Sequence, residues 1–276
     1  MIMDHPIMIK EKKIKQSSKN VTLQPITQAT TATFTNLYIQ NTSLFFIENG
    51  SKRVQDTTGN ELIGQTGDVI IFQPDAIVTM ENRTWSGIDY RAIGVSFTQE
   101  MVEKIFPKTH QNSNLHTVQI LSPSDNEKQQ ILNSIKENLR NIELPKPVLE
   151  HRLLEPLIWL KTMGVKLSSS QINSPLGKVR SLIETDLTYP WRANEIAEHF
   201  AMSEATMRRW LAQSGNSFSK ILMNTRLEKG LNLLQTTKIP ISDIALDCGF
   251  KTPSHFSDTF KGRFGVQPKS IRVSKD

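Results

Sequence analysis

A pair of short amphipathic helices near the C-terminus, in residues 241–268, constrains the fold more than any other feature of the 276-residue chain. The first helix carries one apolar face and stops at Gly249, because glycine readily takes the left-handed conformation that ends a helix. Thr252 can cap a second helix, which places Phe256 and Phe260 four residues apart on one inner face. The pattern predicts a helix-turn-helix. A helical hairpin that only packs on its neighbours is the alternative.

The same pattern occurs about fifty residues earlier, in residues 191–215. Its turn leads to Ser203, a good N-cap for the helix that buries Met207 and Leu211. Residues 217–237 join the two copies as a helix with a buried leucine stripe. A helix of about 20 residues is roughly 30 Å long, and successive major-groove faces lie about 34 Å apart. The connecting helix can therefore hold two recognition helices in adjacent turns of one DNA groove, which an enzyme would not need.

The outward faces of the two second helices supply the candidate DNA contacts. They are Glu204, Ala205, Arg208 and Arg209 in the first copy and Lys251, Ser254, His255, Asp258 and Lys261 in the second. Arginine can bond a guanine edge through two atoms. Because neighbouring helix residues point about 100° apart, at least one of Arg208 and Arg209 is expected to contact phosphate instead.

In the second copy the contacts divide by position. Ser254 and His255 lie at the exposed start of the helix, where bases are met. Lys251 and Lys261 are expected on phosphates. Asp258 either accepts a hydrogen bond from a cytosine amine or is an ordinary solvated carboxylate.

Three spaced motifs in this region resemble the DNA-binding domain of the AraC/XylS family of transcription regulators. They are I-A-x-x-x-G-F at Ile244–Phe250, F-S-x-x-F-K at Phe256–Lys261 and F-G-x-x-P at Phe264–Pro268, within a resemblance over residues 174–272. The resemblance implies a seven-helix DNA-binding domain with two helix-turn-helix motifs. We expect the regulator to be an activator rather than a repressor. Ala205 departs from the family, which often has an aromatic or polar base-reading residue there. Alanine can offer only apolar contact, for instance to a thymine methyl.

The positive charge of the chain is concentrated in this half. Of the net charge of +6, residues 175–276 carry +5, from 15 Lys and Arg against 10 Asp and Glu. A phosphate-binding surface requires such an excess. The only cysteine is Cys248, so there is no disulfide framework. Without an apolar run of membrane-spanning length or a signal peptide, we expect a cytoplasmic protein that has no membrane partner.

The N-terminal half has a strand pattern. Residues 31–97 alternate short apolar runs with turn signals, which predicts an antiparallel barrel or jelly roll. Gly67–Phe72, followed by Pro74, resembles the cupin-type segment of AraC-family sensor domains. We therefore expect an α+β protein, with a cupin-like antiparallel β-barrel or jelly roll and following helices, then an all-α domain. Because residues 31–97 contain no histidine, a metal-dependent cupin enzyme is the weaker alternative, and we expect no metal and no cofactor.

Two helices with apolar stripes are predicted after the strands, at about 124–142 and 147–166. The stripes either pack on their own domain or form a homodimer contact. The expected segments are a flexible arm 1–25, a sensor or dimerisation domain 26–165, a serine-rich linker 166–174 and a DNA-binding domain 175–273, with helix-turn-helix motifs at about 192–213 and 240–263.

Residues 38–50 and 179–187 also resemble the enteric virulence regulators of the AraC family. Some members of that subgroup bind a fatty acid between their two domains and others respond to bicarbonate, so the resemblance implies a small anionic effector. The cations that could hold it, unless they are ordinary solvated charges, are Lys52, Arg53, Arg83 and Arg91. The residues that could line an acyl chain are Leu44, Phe45, Phe46, Ile71 and Phe72.

The expected partners are double-stranded DNA, RNA polymerase, a second copy of the chain and the small anion. A regulator that binds no small ligand, and is controlled by its abundance or by a protein partner, remains the alternative.

Overall fold

The structure is a computed structural model that describes residues 20–106, 116–140, 144–168 and 174–272. The expected arm falls mostly on residues 1–19 and the expected linker mostly on 169–173, both of which lie outside the described residues.

The N-terminal half folds as two antiparallel sheets, which confirms the predicted fold class. The strands are β1 (Val21–Gln28), β2 (Ala32–Ile39), β3 (Thr42–Asn49), β4 (Ser51–Asp56), β5 (Glu61–Gln65), β6 (Val69–Phe72), β7 (Ala76–Arg83), β8 (Tyr90–Phe97) and β9 (Val118–Leu121). One sheet has the order β1-β8-β3-β6-β9 and the other β2-β7-β4-β5. Alternate residues of β7 are buried, as expected for a strand with one face on a core.

The sequence prediction placed the first strand too late in the chain. Residues 21–25, expected in the arm, belong to β1, and Val21 pairs with Phe97 of β8. Val21 and Leu23 are buried, which explains why this segment is ordered as a strand. Pro25 lies in the middle of β1, and a proline weakens the sequence signal for a strand.

Three helices cover the outer face of the five-stranded sheet: α1 (Gln99–Ile105), α2 (Asp125–Arg140) and α3 (Lys146–Thr162). Leu153 and Leu157 of α3 are buried in one core with Leu44 and Phe46 of β3. The apolar stripes therefore pack on their own domain. Helix α3 ends at Thr162, four residues before the predicted end, because the chain turns through Gly164 at φ 81°.

The C-terminal half is helical throughout. Its helices are α4 (Pro175–Ile183), α5 (Ala193–His199), α6 (Glu204–Ala212), α7 (Phe218–Thr236), α8 (Ile241–Asp247), α9 (Pro253–Phe264) and α10 (Pro268–Ile271). Ser203 caps α6 by accepting from the Thr206 amide, and Thr252 caps α9 by accepting from His255. Gly249 has φ 77°, and a Cβ there would lie 2.2 Å from the Leu187 carbonyl oxygen, so this turn requires glycine.

The two halves share one apolar core. It contains Phe34 and Met80 from the four-stranded sheet together with Leu231 of α7 and Phe264 of α9. The turn after β1 also bonds to the last helix, since the Ala29 amide donates to the Ile271 carbonyl at 3.0 Å. The second helix-turn-helix is therefore packed directly on the β domain.

Candidate functional site

The first helix-turn-helix consists of α5 and α6. Met207 and Leu211 of α6 are fully buried against α5, which turns Ala205, Arg208 and Arg209 outward into solvent. Glu204 is half-buried and accepts a hydrogen bond from Arg208, one turn later, at 2.5 Å. Glu204 therefore holds the Arg208 guanidinium against the helix when no other partner is present.

The second helix-turn-helix consists of α8 and α9. Burial of Phe256 and Phe260 leaves an exposed polar face on α9, which carries Ser254, His255, Asp258 and Lys261, with Lys251 in the preceding turn. The imidazole of His255 packs edge-on against the Phe250 ring, with centroids 5.5 Å apart. This contact supports the histidine at the start of the helix.

A buried ion triad joins α4, the connecting helix α7 and α9 of the second motif, and the sequence analysis missed it. Glu228 of α7 accepts from Arg180 of α4 at 2.5 Å and from Arg263 of α9 at 2.6 Å. Burial lowers the pKa of Arg263, and the Glu228 carboxylate opposes that shift. Arg263 also donates to the backbone carbonyl of Asn36 in β2 at 3.3 Å. Long-range pairing of this kind leaves no local sequence pattern.

A cavity of about 260 Å³ lies between the inner face of the β domain and α7. Side chains on its walls include Phe45, Lys52 and Asn82 from the strands and Leu231, Asn232 and Gln235 from α7. A larger cavity of about 470 Å³ opens between β4, β9 and the end of α3, but its walls carry the carboxylates of Asp56 and Glu61. The cavity beside α7 suits an anion better, because the carboxylate on its walls, Glu228, is already paired with Arg180 and Arg263.

Lys52 is buried in the β domain with only 1% of its surface exposed. Its ammonium donates to Asn82 Oδ1 and lies 4.8 Å from the Phe45 ring centroid and 5.1 Å from that of Tyr90. In the part of the chain that the structure describes, no carboxylate forms an ion pair with it. Burial lowers the pKa of Lys52 from 10.5 to about 7.

The structure does not bring the other candidate cations to Lys52. Arg53 points to the other face of β4 and pairs with Glu61. Arg83 pairs with Glu81 at 2.6 Å, and Arg91 is exposed. The period of two in β4 places Lys52 on the same face as buried Val54, and this pattern could have identified Lys52 from the sequence.

The structure also corrects the set of residues that were expected to line an acyl chain. Phe45 lines the cavity and Phe72 packs edge-on against it, with centroids 5.3 Å apart. Leu44, Phe46 and Ile71 instead face α2 and α3 from the opposite side of their sheet. Adjacent residues of a strand point to opposite faces, so Leu44 and Phe46 cannot share a face with Phe45.

Comparison with known proteins identifies the helical half. Residues 196–274 match the family described as the helix-turn-helix domain, a region that begins within α5 and continues through α6 and the second motif. Residues 196–274 form an AraC-type helix-turn-helix domain. The relatives described below are named as transcriptional regulators, and this chain resembles them in its helix-turn-helix half.

Two curated relatives illustrate the extent of the similarity. The transcriptional regulator SirC of Salmonella typhimurium (strain SL1344) is 25% identical over 254 residues, which cover 85% of this chain and 86% of SirC. The regulator YdeO of Shigella flexneri is 32% identical over 112 residues, which cover 41% of this chain and 43% of YdeO.

Solved structures show that the similarity of fold extends over both halves. A crystal structure of unsaturated fatty acid bound wild-type ToxT from Vibrio cholerae superposes with a TM-score of 0.65 at 16% identity, covering 94% of this chain and 99% of that one. The AraC-type domain therefore follows a β domain in a known two-part fold.

Among the described residues, no group of three or more His, Cys, Asp or Glu side chains is arranged to hold a metal ion. None of the helices described there combines the length and apolar character needed to cross a membrane.

Proposed function

We propose that this protein is a sequence-specific transcription activator that inserts α6 and α9 into adjacent major-groove segments and is modulated by a small anion. One observation carries the proposal: two exposed polar recognition helices are joined by the 19-residue α7. At 1.5 Å per residue α7 is about 28 Å long, close to one turn of B-DNA.

The proposed contacts are those of the exposed faces. Arg208 reads a guanine edge and Ala205 contacts a thymine methyl, while Arg209 binds phosphate. Glu204 orients Arg208 in the free protein. In the second motif Ser254, His255 and Asp258 face base edges, and Lys251 and Lys261 contact the backbone.

The proposed effector site is the cavity that contains Lys52. A buried ammonium with no carboxylate partner among the described residues favours an incoming anion, and the surrounding walls include Phe45 and Leu231. ToxT, which has the same fold, is named in its structure as bound to an unsaturated fatty acid. A fatty acid would cover the apolar walls as well as the amine, whereas bicarbonate would satisfy the amine alone, so we favour the fatty acid.

A thermal-shift titration tests the effector site. Long-chain fatty acid should raise the melting temperature of the full-length protein, because a ligand that binds only the folded state stabilises it. Lys52→Met should abolish the rise, and Arg53→Met, a change at the neighbouring residue on the other face, should retain it. No rise with either fatty acid or bicarbonate would support the regulator without a small ligand.

The remaining partners follow from the proposed role. An activator contacts RNA polymerase and acts where the chromosome is, in the bacterial cytoplasm. Exposed Val148 and Ile158 on α3 give a surface on which two copies could form a homodimer. The resemblance of residues 38–50 and 179–187 to the enteric virulence regulators supports virulence genes as targets. A footprint on genomic DNA would identify the sites.

A further inference from the structure

Four side chains form a continuous hydrogen-bonded chain from the centre of the β domain to α7. Lys52 donates to Asn82 Oδ1, and Asn82 Nδ2 donates to Gln28 Oε1 at 2.8 Å. Gln235 of α7 donates to the same Gln28 oxygen, also at 2.8 Å. Lys52, Asn82 and Gln28 are all buried, with at most 2% of their surface exposed, so water does not compete for the bonds between them, whereas Gln235 is half-buried.

The directions of these bonds depend on one another. Gln28 Nε2 donates to the Thr30 carbonyl at 2.7 Å, and a carbonyl can only accept. The Gln28 oxygen must therefore accept from both Asn82 and Gln235. Asn82 consequently turns its amide nitrogen to Gln28, and its oxygen is left to accept from Lys52. A change at Lys52 removes the donor to Asn82 and disturbs each bond beyond it.

Helix α7 is the place where this chain of bonds can affect DNA binding. It connects the recognition helix of the first motif to the second motif, and Glu228 of the ion triad lies two turns before Gln235. Thr27 of β1 also donates to the Gln235 carbonyl at 3.3 Å. The hold of β1 on α7 therefore influences the position of both motifs.

We propose that Lys52, Asn82, Gln28 and Gln235 form a relay that couples the occupancy of the Lys52 site to the position of α7. The relay depends on the proposed effector site, because the anion bound there is the signal that the relay transmits. The Lys52 ammonium has three donors and contacts Met80 Sδ as well as Asn82 Oδ1, and an anion that binds it draws the amine away from Asn82. Asn82 keeps its amide nitrogen towards Gln28 but shifts once its donor is lost, which weakens the hold of Gln28 on Gln235. Effector binding thereby loosens α7 from β1 and changes the spacing of α6 and α9.

A matched bond on the same interface provides the control. Asn232 of α7 donates to Gln24 of β1 at 3.0 Å, about one turn before Gln235. Gln24 and Asn232 are half-buried like Gln235, but neither bonds to any of the four relay side chains. Loss of this bond weakens the interface without breaking the relay.

The relay can be tested without any ligand by double-mutant cycles. Lys52→Met is combined with Gln28→Leu in one cycle and with Gln24→Leu in the control cycle, and both DNA affinity and amide exchange in α7 are measured. Lys52→Met should change exchange around Gln235 by about threefold or more while Gln28 is present and have little effect in Gln28→Leu, as expected for one network. The Gln24 cycle should be additive. Additive results in both cycles would overturn the relay.

A second variant covers the case in which Lys52→Met or Gln28→Leu does not fold. Gln235→Leu changes a half-buried helix position, and coupling is reciprocal, so it should shift the NMR signal of the Lys52 side chain. Asn232→Leu should leave that signal in place. An unmoved Lys52 signal in Gln235→Leu would refute the relay.

The relay and the effector site can fail separately. If fatty acid binds the parent protein and the Gln28 cycle is additive, the relay is wrong and the effector site stands. If neither fatty acid nor bicarbonate binds and the Gln28 cycle is non-additive, the effector site is wrong and the relay stands.

Discussion

Phe34 of β2 packs edge-to-face against Phe264 at the end of α9, with ring centroids 5.4 Å apart. Both side chains are almost completely buried, at 0% and 4% exposure. The helix that presents His255 to solvent is therefore held at its other end by the β domain. Through this contact the β domain packs on the second motif directly, and through the Gln235 bond to β1 it contacts the connecting helix α7.

Phe34→Ala should destabilise the protein and alter DNA binding together. Removing a buried phenylalanine costs about 3–5 kcal/mol of unfolding free energy, and here it also frees the end of α9. Phe46→Ala is the control, because Phe46 is equally buried but packs towards α2 and α3. Urea unfolding should show similar losses for the two variants, while DNA affinity should change only in Phe34→Ala.

Glu228→Gln should be among the most destabilising single changes in α7. It leaves the buried guanidinium groups of Arg180 and Arg263 without their carboxylate, and breaking a buried pair in this way costs about 3–5 kcal/mol. Glu61→Gln removes a carboxylate from an exposed pair with Arg53 and should change stability by less than about 1 kcal/mol. Equal melting temperatures for the two variants would contradict the role of the triad.

Lys52 should make stability depend on pH above neutrality. Its pKa is lowered to about 7 in the folded state from an ordinary 10.5, so between these values the unfolded chain binds one more proton than the folded chain. Stability from this group therefore rises with pH across that window and is lowest below pH 7. Tyr90 faces the amine but stays neutral because burial raises its pKa, and Glu228, on the same cavity, is held by two arginines.

Lys52→Met isolates that effect. The variant should melt at a higher temperature than the parent protein below pH 7, and the difference should shrink as pH rises from 7 to 9. A difference that does not change between pH 6 and pH 9 would mean that the amine is not titrating in this window.

The sequence predicted what depends on local pattern. Gly249, Ser203 and Thr252 each determine a turn or a cap from their own chemistry, and the exposed face of α9 follows from Phe256 and Phe260. Contacts between residues that lie far apart in the sequence were not predictable.

The ion triad and the relay show why. The triad joins Arg180 to Glu228 across 48 positions, and Gln28 meets Gln235 across 207. Neither periodicity nor composition records such pairs, because each partner alone is an ordinary polar residue. Lys52 lies between these cases. The period of two in β4 could predict its burial from the sequence, but the lack of a carboxylate partner among the described residues could not be predicted.

Arg208→Ala and His255→Ala should each weaken binding to a mapped site without loss of fold. For a base-reading arginine the expected loss is about 1–3 kcal/mol, concentrated at one position of the site. Arg91→Ala removes the same charge from an exposed position of β8 and should bind as the parent protein does. Fluorescence anisotropy with single-base variants of the site measures the loss of affinity and the position of the site at which it occurs. Unchanged binding in both Arg208→Ala and His255→Ala would show that the proposed helix faces are wrong.

The central claim is that α6 and α9 read two segments on one side of the duplex, about one helical turn apart. The most direct test measures the affinity of the full-length protein for a footprinted site and for the same site with about 5 base pairs inserted between the two segments, half a turn of DNA. Because α7 joins the two motifs and the Arg180–Glu228–Arg263 triad fixes α9 to α7, the insertion should reduce affinity to that of a single segment. An insertion of about one full turn should not restore it. Equal affinity for the original and half-turn sites would contradict the account.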